Sequence, residues 1–149
     1  MNTPIKWRHA PRDHEHTITQ VGGLAARLAA LEYDSGERAI TALIRPGYAV
    51  EEATIQRVGR VVTLSITGLV PDEPGSGFPF NSSAIPDGFR APTERPFMGS
   101  TSQGNAVRMR LRPAFGVGIY GAVAGYSYNS IITYLVPPAL PATLPGTPA

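Results

Sequence analysis

The 149-residue chain contains no cysteine, so disulfides and cysteine-ligated zinc are excluded as sources of stability or chemistry. No apolar run approaches the roughly 18 residues that a membrane-spanning helix needs. The first sixteen residues, MNTPIKWRHAPRDHEH, are polar and lack the apolar centre of a signal peptide. The expectation is a chain made and kept in a cytosol, or released by lysis, with no membrane insertion. Charge is sparse: Asp, Glu, Lys and Arg make up 16 % of the residues. After Glu94 there is no Asp, Glu or His, only Arg95, Arg108, Arg110 and Arg112. The last third therefore cannot supply a conventional acid/base pair.

What is abundant is turn-forming material. Gly 16 and Pro 15 favour short strands over long helices, and 42 % hydrophobic residues suffice for a core. Four segments follow: an arm over 1–16, a short helix over 17–34, a β domain over 35–136 and a proline-rich tail over 137–149, expected to be extended or disordered.

In the second segment Val21, Leu24, Leu28 and Leu31 recur with the 3-4-3 spacing of a heptad seam. Gly22 and Gly23 oppose helix, which places its firm start near Leu24; Gly36 is the expected stop. The seam fits packing on the chain's own domain, or a coiled coil of several copies. Its Val and Leu identities do not fix the number of strands and lean to two.

From Ser35 the periodicity is two. ERAITALI reads as a strand closed by Pro46-Gly47. IQRVGRVVTLSITGL, residues 55–69, reads as a hairpin turning at Val58-Gly59, with Gly59 at the third turn position. Beyond the turn, Val62, Leu64 and Ile66 face one way and Val61, Thr63 and Ser65 the other. Gly68 is expected to weaken the strand end. Residues 71–96 form a long Pro/Gly-rich connection whose Phe78, Phe80, Ile85 and Phe89 should pin it to the core. AVRMRLRP alternates Val107, Met109 and Leu111 with Arg108, Arg110 and Arg112. GVGIYG and YSYNSIITYLV supply two further strands, with a turn near Gly125 or Asn129. The whole reads as mainly β: an antiparallel sandwich or jelly roll preceded by a short N-terminal helix.

Catalytic signatures are missing. The three histidines, His9, His14 and His16, precede the β domain, and no G-x-S-x-G elbow, Walker loop or dinucleotide fingerprint occurs. Glu51-Glu52 and Asp72-Glu73 are adjacent pairs that a strand would split between its faces, so solvated surface charge explains them better than a dyad. The chain reads as non-enzymatic, with no cofactor and no metal site assigned. His14 and His16 share one face of an extended segment, and three copies would bring six imidazoles together. A plain polar arm accounts for them more simply. Arg108, Arg110 and Arg112 admit three readings: solvated surface, carboxylate pairing across a sheet or subunit boundary, or an anionic ligand. Nucleic acid is disfavoured, because no aromatics interleave on that stripe. Tyr120, Tyr126, Tyr128 and Tyr134 suit either strand packing or a sugar-binding surface, with Tyr126 and Tyr128 taken as surface candidates.

The order of these pieces carries a resemblance. Ser35, Gly36, Arg38 and Ile40 are followed by Gly47-Tyr48 and then by Arg57-Val58-Gly59 with Val61-Val62-Thr63-Leu64. IPDGFRAP follows, matching at Ile85, Pro86, Gly88, Phe89, Arg90 and Pro92, and then Val107, Met109, Gly116, Val117 and Tyr134. Together, over residues 35–136, they resemble a module of tail-fibre and minor tail proteins of phages that infect actinobacteria. Glu37 stands where that module has an aromatic residue, and Arg60 where it has Asn. The resemblance implies a homotrimeric β-sandwich head on a virion, with host surface glycans as a further expected contact, and it brings no defined binding residues. On this reading the arm docks to other virion proteins of a tail or capsid, with Trp7 as the buried anchor beside Arg8 and Arg12. The alternatives are a capsid decoration protein without a host ligand and a cellular carbohydrate-binding module.

Overall fold

The computed structural model describes residues 23–114 and 116–149. The arm with Trp7, Arg8, Arg12, His14 and His16, and the first seam residue Val21, lie outside the described residues.

The protein is mainly β. A nine-residue helix, α1 (Leu24–Glu32), precedes ten strands: β1 (Arg38–Ala39), β2 (Tyr48–Ala49), β3 (Glu52–Val58), β4 (Val61–Pro71), β5 (Gly75–Gly77), β6 (Arg95–Thr101), β7 (Ala106–Arg112), β8 (Gly116–Ala122), β9 (Tyr128–Leu135) and β10 (Thr147–Pro148). They form one antiparallel sheet in the order β10-β1-β3-β4-β9-β6-β7-β8-β5, with β2 paired to the far end of β4.

The helix begins at Leu24, as the glycines require: Gly23 precedes it at φ 76°, and no side chain caps it. It ends at Glu32, earlier than Gly36. The chain turns extended there because the Tyr33 carbonyl accepts the Gly59 N–H at 2.6 Å and Asp34 bridges Val58. Only Ala30 of the helix is buried.

Segment 37–44 departs from the expected strand. Just Arg38 and Ala39 pair with β3, and Thr41–Leu43 wind into a 3₁₀ turn whose Thr41 hydroxyl accepts the Ala53 N–H at 3.1 Å. The β3–β4 turn sits one residue later than its sequence suggested. Val58 pairs with Val61, so Gly59 and Arg60 are the central residues. Gly59 takes φ 58° at the first of these, the position where a two-residue hairpin favours glycine. Strand β4 also runs on past Gly68. A bulge between Ile66 and Leu69 absorbs that residue, and its N–H donates to Asn129 Oδ1 at 2.8 Å.

Alternation decides the core. Val62, Leu64 and Ile66 of β4, Met109 and Leu111 of β7 and Val117 and Ile119 of β8 are all buried. The long connection is pinned as expected: Phe80, Ile85 and Phe89 are buried with them, and Ile44 bridges Phe80. The Tyr134 hydroxyl donates to the Phe89 carbonyl at 2.6 Å in the interior, and burial pushes its phenol well above the ordinary tyrosine range. Tyr134→Phe leaves that carbonyl without a donor and is expected to cost about 1–2 kcal/mol in urea unfolding.

The proline-rich segment is tied to the sheet. Thr147 and Pro148 pair with β1, and Arg38 donates from Nε to the Pro145 carbonyl at 3.1 Å and from Nη2 to that of Gly146 at 2.9 Å. A two-residue edge strand carrying a proline is also a poor template for further strand addition.

Candidate functional site

The outward residues of β3, β4 and β9 form a nearly uncharged surface. Register places Val58 beside Val61 and Val61 beside Leu135, which makes one apolar row across three strands at the hairpin end. All three are exposed, Leu135 to 61 %. The next outward row is Gln56, Thr63 and Thr133, the two threonine hydroxyls lying 3.3 Å apart, and beyond it Ile131 is 72 % exposed.

The helix reaches the same end of the sheet. The Leu31 backbone packs against Gly59, where a Cβ would meet the Leu31 carbonyl oxygen at 3.1 Å. Leu24 is half-buried, Leu28 is exposed and Leu31 is 65 % exposed. The described seam residues are thus not consumed by the domain, which takes Ala30 instead. A helix this short and uncapped is marginal in isolation, and one buried alanine adds little.

Beneath this surface lies Arg57. It is fully buried, on the inward face of β3 with Ala53 and Ile55. Its Nε donates to the Gly59 carbonyl at 2.8 Å, Nη1 to Gly88 at 2.6 Å and Nη2 to Pro137 at 3.2 Å, and its guanidinium lies 5.4 Å from the centre of the Tyr33 ring. One side chain thereby joins the hairpin turn, the IPDGFRAP turn, the end of the sheet and the helix exit. Desolvation holds its pKa below the usual arginine value, and Tyr33 opposes that shift. Neighbouring Arg60 donates from Nε to the Val136 carbonyl at 3.0 Å and accepts the Val136 N–H at its own carbonyl.

The arginine ladder occupies the outer face of β7. Glu94 bridges two of its members, 2.6 Å from Arg110 Nη1 and 2.9 Å from Arg112 Nε. Arg110 stacks on Tyr120 at 4.6 Å and Arg112 on Phe78 at 4.9 Å. Arg108 is exposed. Carboxylate pairing across the sheet therefore describes Arg110 and Arg112. The Arg110 hydrogen bond, with Arg112 beside it, holds the Glu94 carboxyl below the ordinary carboxylate range against an opposing desolvation effect. A lowered carboxyl pKa stabilises the fold above its unfolded value, and that contribution is lost as pH falls through the folded one. The gap in melting temperature between wild type and Glu94→Gln is therefore expected at neutral pH and should close in acid, as a pH series of thermal melts will show.

The two tyrosine candidates separate. Tyr126 is 37 % exposed and stays at the surface. Tyr128 is a correction: it is 2 % exposed, and its hydroxyl accepts the Val123 N–H at 2.7 Å. It packs the core and anchors the β8–β9 connection, so it offers no ring to a ligand. Among the described residues no three His, Asp or Glu side chains converge as metal ligands would. Sequence reasoning placed Arg57 only beside the turn, not as a buried junction, and passed over Arg45, which with Tyr48 lines a polar cavity at the opposite end of β4. The signal for Arg57 was present in its position, two and four residues from the inward Ile55 and Ala53. For Arg45 no local pattern existed. No protein-family model and no curated protein sequence matches the chain.

Proposed function

We propose that the chain is a non-enzymatic structural protein of a phage virion. It assembles as a homotrimer through α1 and the outward face of the hairpin end, and it displays the β domain as a sandwich head. The observation that carries the reading is the exposed apolar surface of Leu28, Leu31, Val58, Val61 and Leu135, joined to a helix that its own domain barely covers. Copies of this chain are the occupant that fits. The flanking positions Gln56, Thr63 and Thr133 are uncharged, so identical faces meet without repulsion, and α1 gains the partner its length demands. A two-layer head is supported by the single core shared between β3–β4–β9 and β7–β8, and by the narrow β6–β9 junction of Ser100 with Asn129 and Thr101 with Tyr128.

In this reading the arm with Trp7, Arg8 and Arg12 docks to other virion proteins and the head faces outward, where host surface glycans come within reach. Gold-labelled antibody against the chain should decorate purified particles, and particles formed with a chain lacking residues 1–16 should be bare. Recovery of the full-length chain only in the particle-free fraction would overturn the assignment.

A further inference from the structure

The end of β4 opposite the hairpin turn borders a cavity of about 430 Å³, lined by Arg45, Tyr48, Asp72, Glu73, Ile119 and Ala122 among others. That volume lies within the range of small-ligand sites, roughly 300–1,000 Å³. Its walls are fixed. Tyr48 pairs with Pro71, the Asp72 N–H donates to the Gly47 carbonyl at 3.0 Å and the Arg45 N–H to that of Pro79 at 2.8 Å. On the other side Gly75 pairs with Ala122 and Gly77 with Ile119, and the Gly121 N–H donates to Ser76 Oγ at 3.3 Å.

Arg45 is the unusual member. Its guanidinium lies 5.3 Å from the centre of the Tyr48 ring, and its one hydrogen bond is a long 3.5 Å contact from Nη2 to the Tyr48 hydroxyl. Its Nε is buried without an acceptor. No ion pair joins it to Asp72 or Glu73, although both border the same cavity. Buried donors in native proteins are almost always satisfied. Arg57 donates to three carbonyls, and Arg110 and Arg112 meet the Glu94 carboxylate, Arg112 Nε at 2.9 Å as an ion pair without an aligned hydrogen bond, whereas no carboxylate meets the Arg45 guanidinium. Arg45 has donors to spare in a preformed cavity. Tyr48 is held there by a missing side chain, because a Cβ on Gly77 would collide with the Tyr48 hydroxyl oxygen.

We propose that this cavity binds a neutral saccharide. A guanidinium and a phenol donate to ring and hydroxyl oxygens, the Asp72 and Glu73 carboxylates accept from hydroxyls, and Ile119, Ala122 and Pro71 meet the C–H face. An anionic ligand would satisfy Arg45 but would face both carboxylates, and a wholly apolar one would strip water from all these groups without replacing it. The site gives the glycan contact of the proposed function its location and rests on that reading only for the source of the sugar.

The test is titration of the full-length protein, followed by amide chemical shifts, with glucose, galactose, mannose, N-acetylglucosamine and their common disaccharides, and with glucuronate as the acidic control. At least one neutral sugar should shift residues 45–48 and 72–77 at millimolar concentration. Arg45→Met should weaken it about tenfold, and Gly77→Ala should weaken it by displacing Tyr48. Glu73→Gln, an exposed change that the fold does not use, should weaken it as well, which covers the case of an unfolded Arg45 variant. The proposal is overturned if no neutral sugar shifts these residues, if glucuronate binds more tightly than every neutral sugar, or if binding survives Glu73→Gln and Gly77→Ala unchanged. Sugar binding by a chain absent from virions would sink the virion assignment alone, and a virion chain blind to sugars would sink this site alone.

Discussion

Arg57→Met should destabilise the protein by about 3–5 kcal/mol, enough to leave much of it unfolded at ambient temperature. Methionine restores most of the length and apolar bulk, so the loss isolates the hydrogen bonds. Three carbonyls from Gly59, Gly88 and Pro137 then remain in the interior with no donor. A hydrogen bond to a charged group contributes roughly 1.5–3 kcal/mol, and a buried acceptor left unmade costs a similar amount. These segments are distant in sequence, so nothing local replaces the lost links. Arg57→Lys keeps the charge but not the planar fork that reaches three acceptors at once, and is expected to lose about 2 kcal/mol. Urea unfolding monitored by circular dichroism measures both. A cost under about 1 kcal/mol for the methionine variant would mean that the three carbonyls find other donors.

The second large effect concerns mass. Leu31→Glu combined with Leu135→Glu should convert the proposed trimer to single chains while leaving the fold intact. Both side chains are mostly exposed in the isolated chain, at 65 % and 61 %, so the monomer should change by no more than about 0.5 kcal/mol. In a trimer the pair places six carboxylates on apolar contact surface. Sedimentation velocity reads the dissociation, and an unchanged far-ultraviolet spectrum shows that the strands remain. Persistence of the wild-type sedimentation coefficient would place the contacts elsewhere on the molecule. Val61→Thr alone, which exchanges a methyl for a hydroxyl at the centre of the row, should weaken association to a smaller extent without touching the core.

How much of this was legible follows from the range of each interaction. The inward and outward sets of β4 and β7 were plain, because period two within a strand is a local property. So was the helix start, where Gly23 takes its left-handed conformation. The hairpin was visible but its turn was misplaced by one residue, since the pairing of Val58 with Val61 is fixed by the whole ladder from Glu52 to Val61 and not by the turn dipeptide. Strand β6 was missed, because RPFMGST has a proline and a glycine and no alternation; it exists through pairing with β7 along its length. Tyr128 looked like its exposed neighbour Tyr126, and only pairing with Leu69 and Thr101 turns it inward. The tail and the Arg45 cavity depend on residues tens of positions apart.

The same limit applies to the two arginines near the turn. Arg60 lies at the turn itself, yet Arg57 ties the segments together, while Arg60 closes onto Val136. A charged residue at an inward strand position conflicts with the pattern around it. That conflict is the sequence-level mark of a buried hydrogen-bonding junction.

The central claim is that copies of this chain meet through the helix and the hairpin end. Static light scattering of the full-length protein at micromolar concentration addresses it most directly. The homotrimer has a mass three times the 15.8 kDa of one chain. A mass of one chain at that concentration would contradict it.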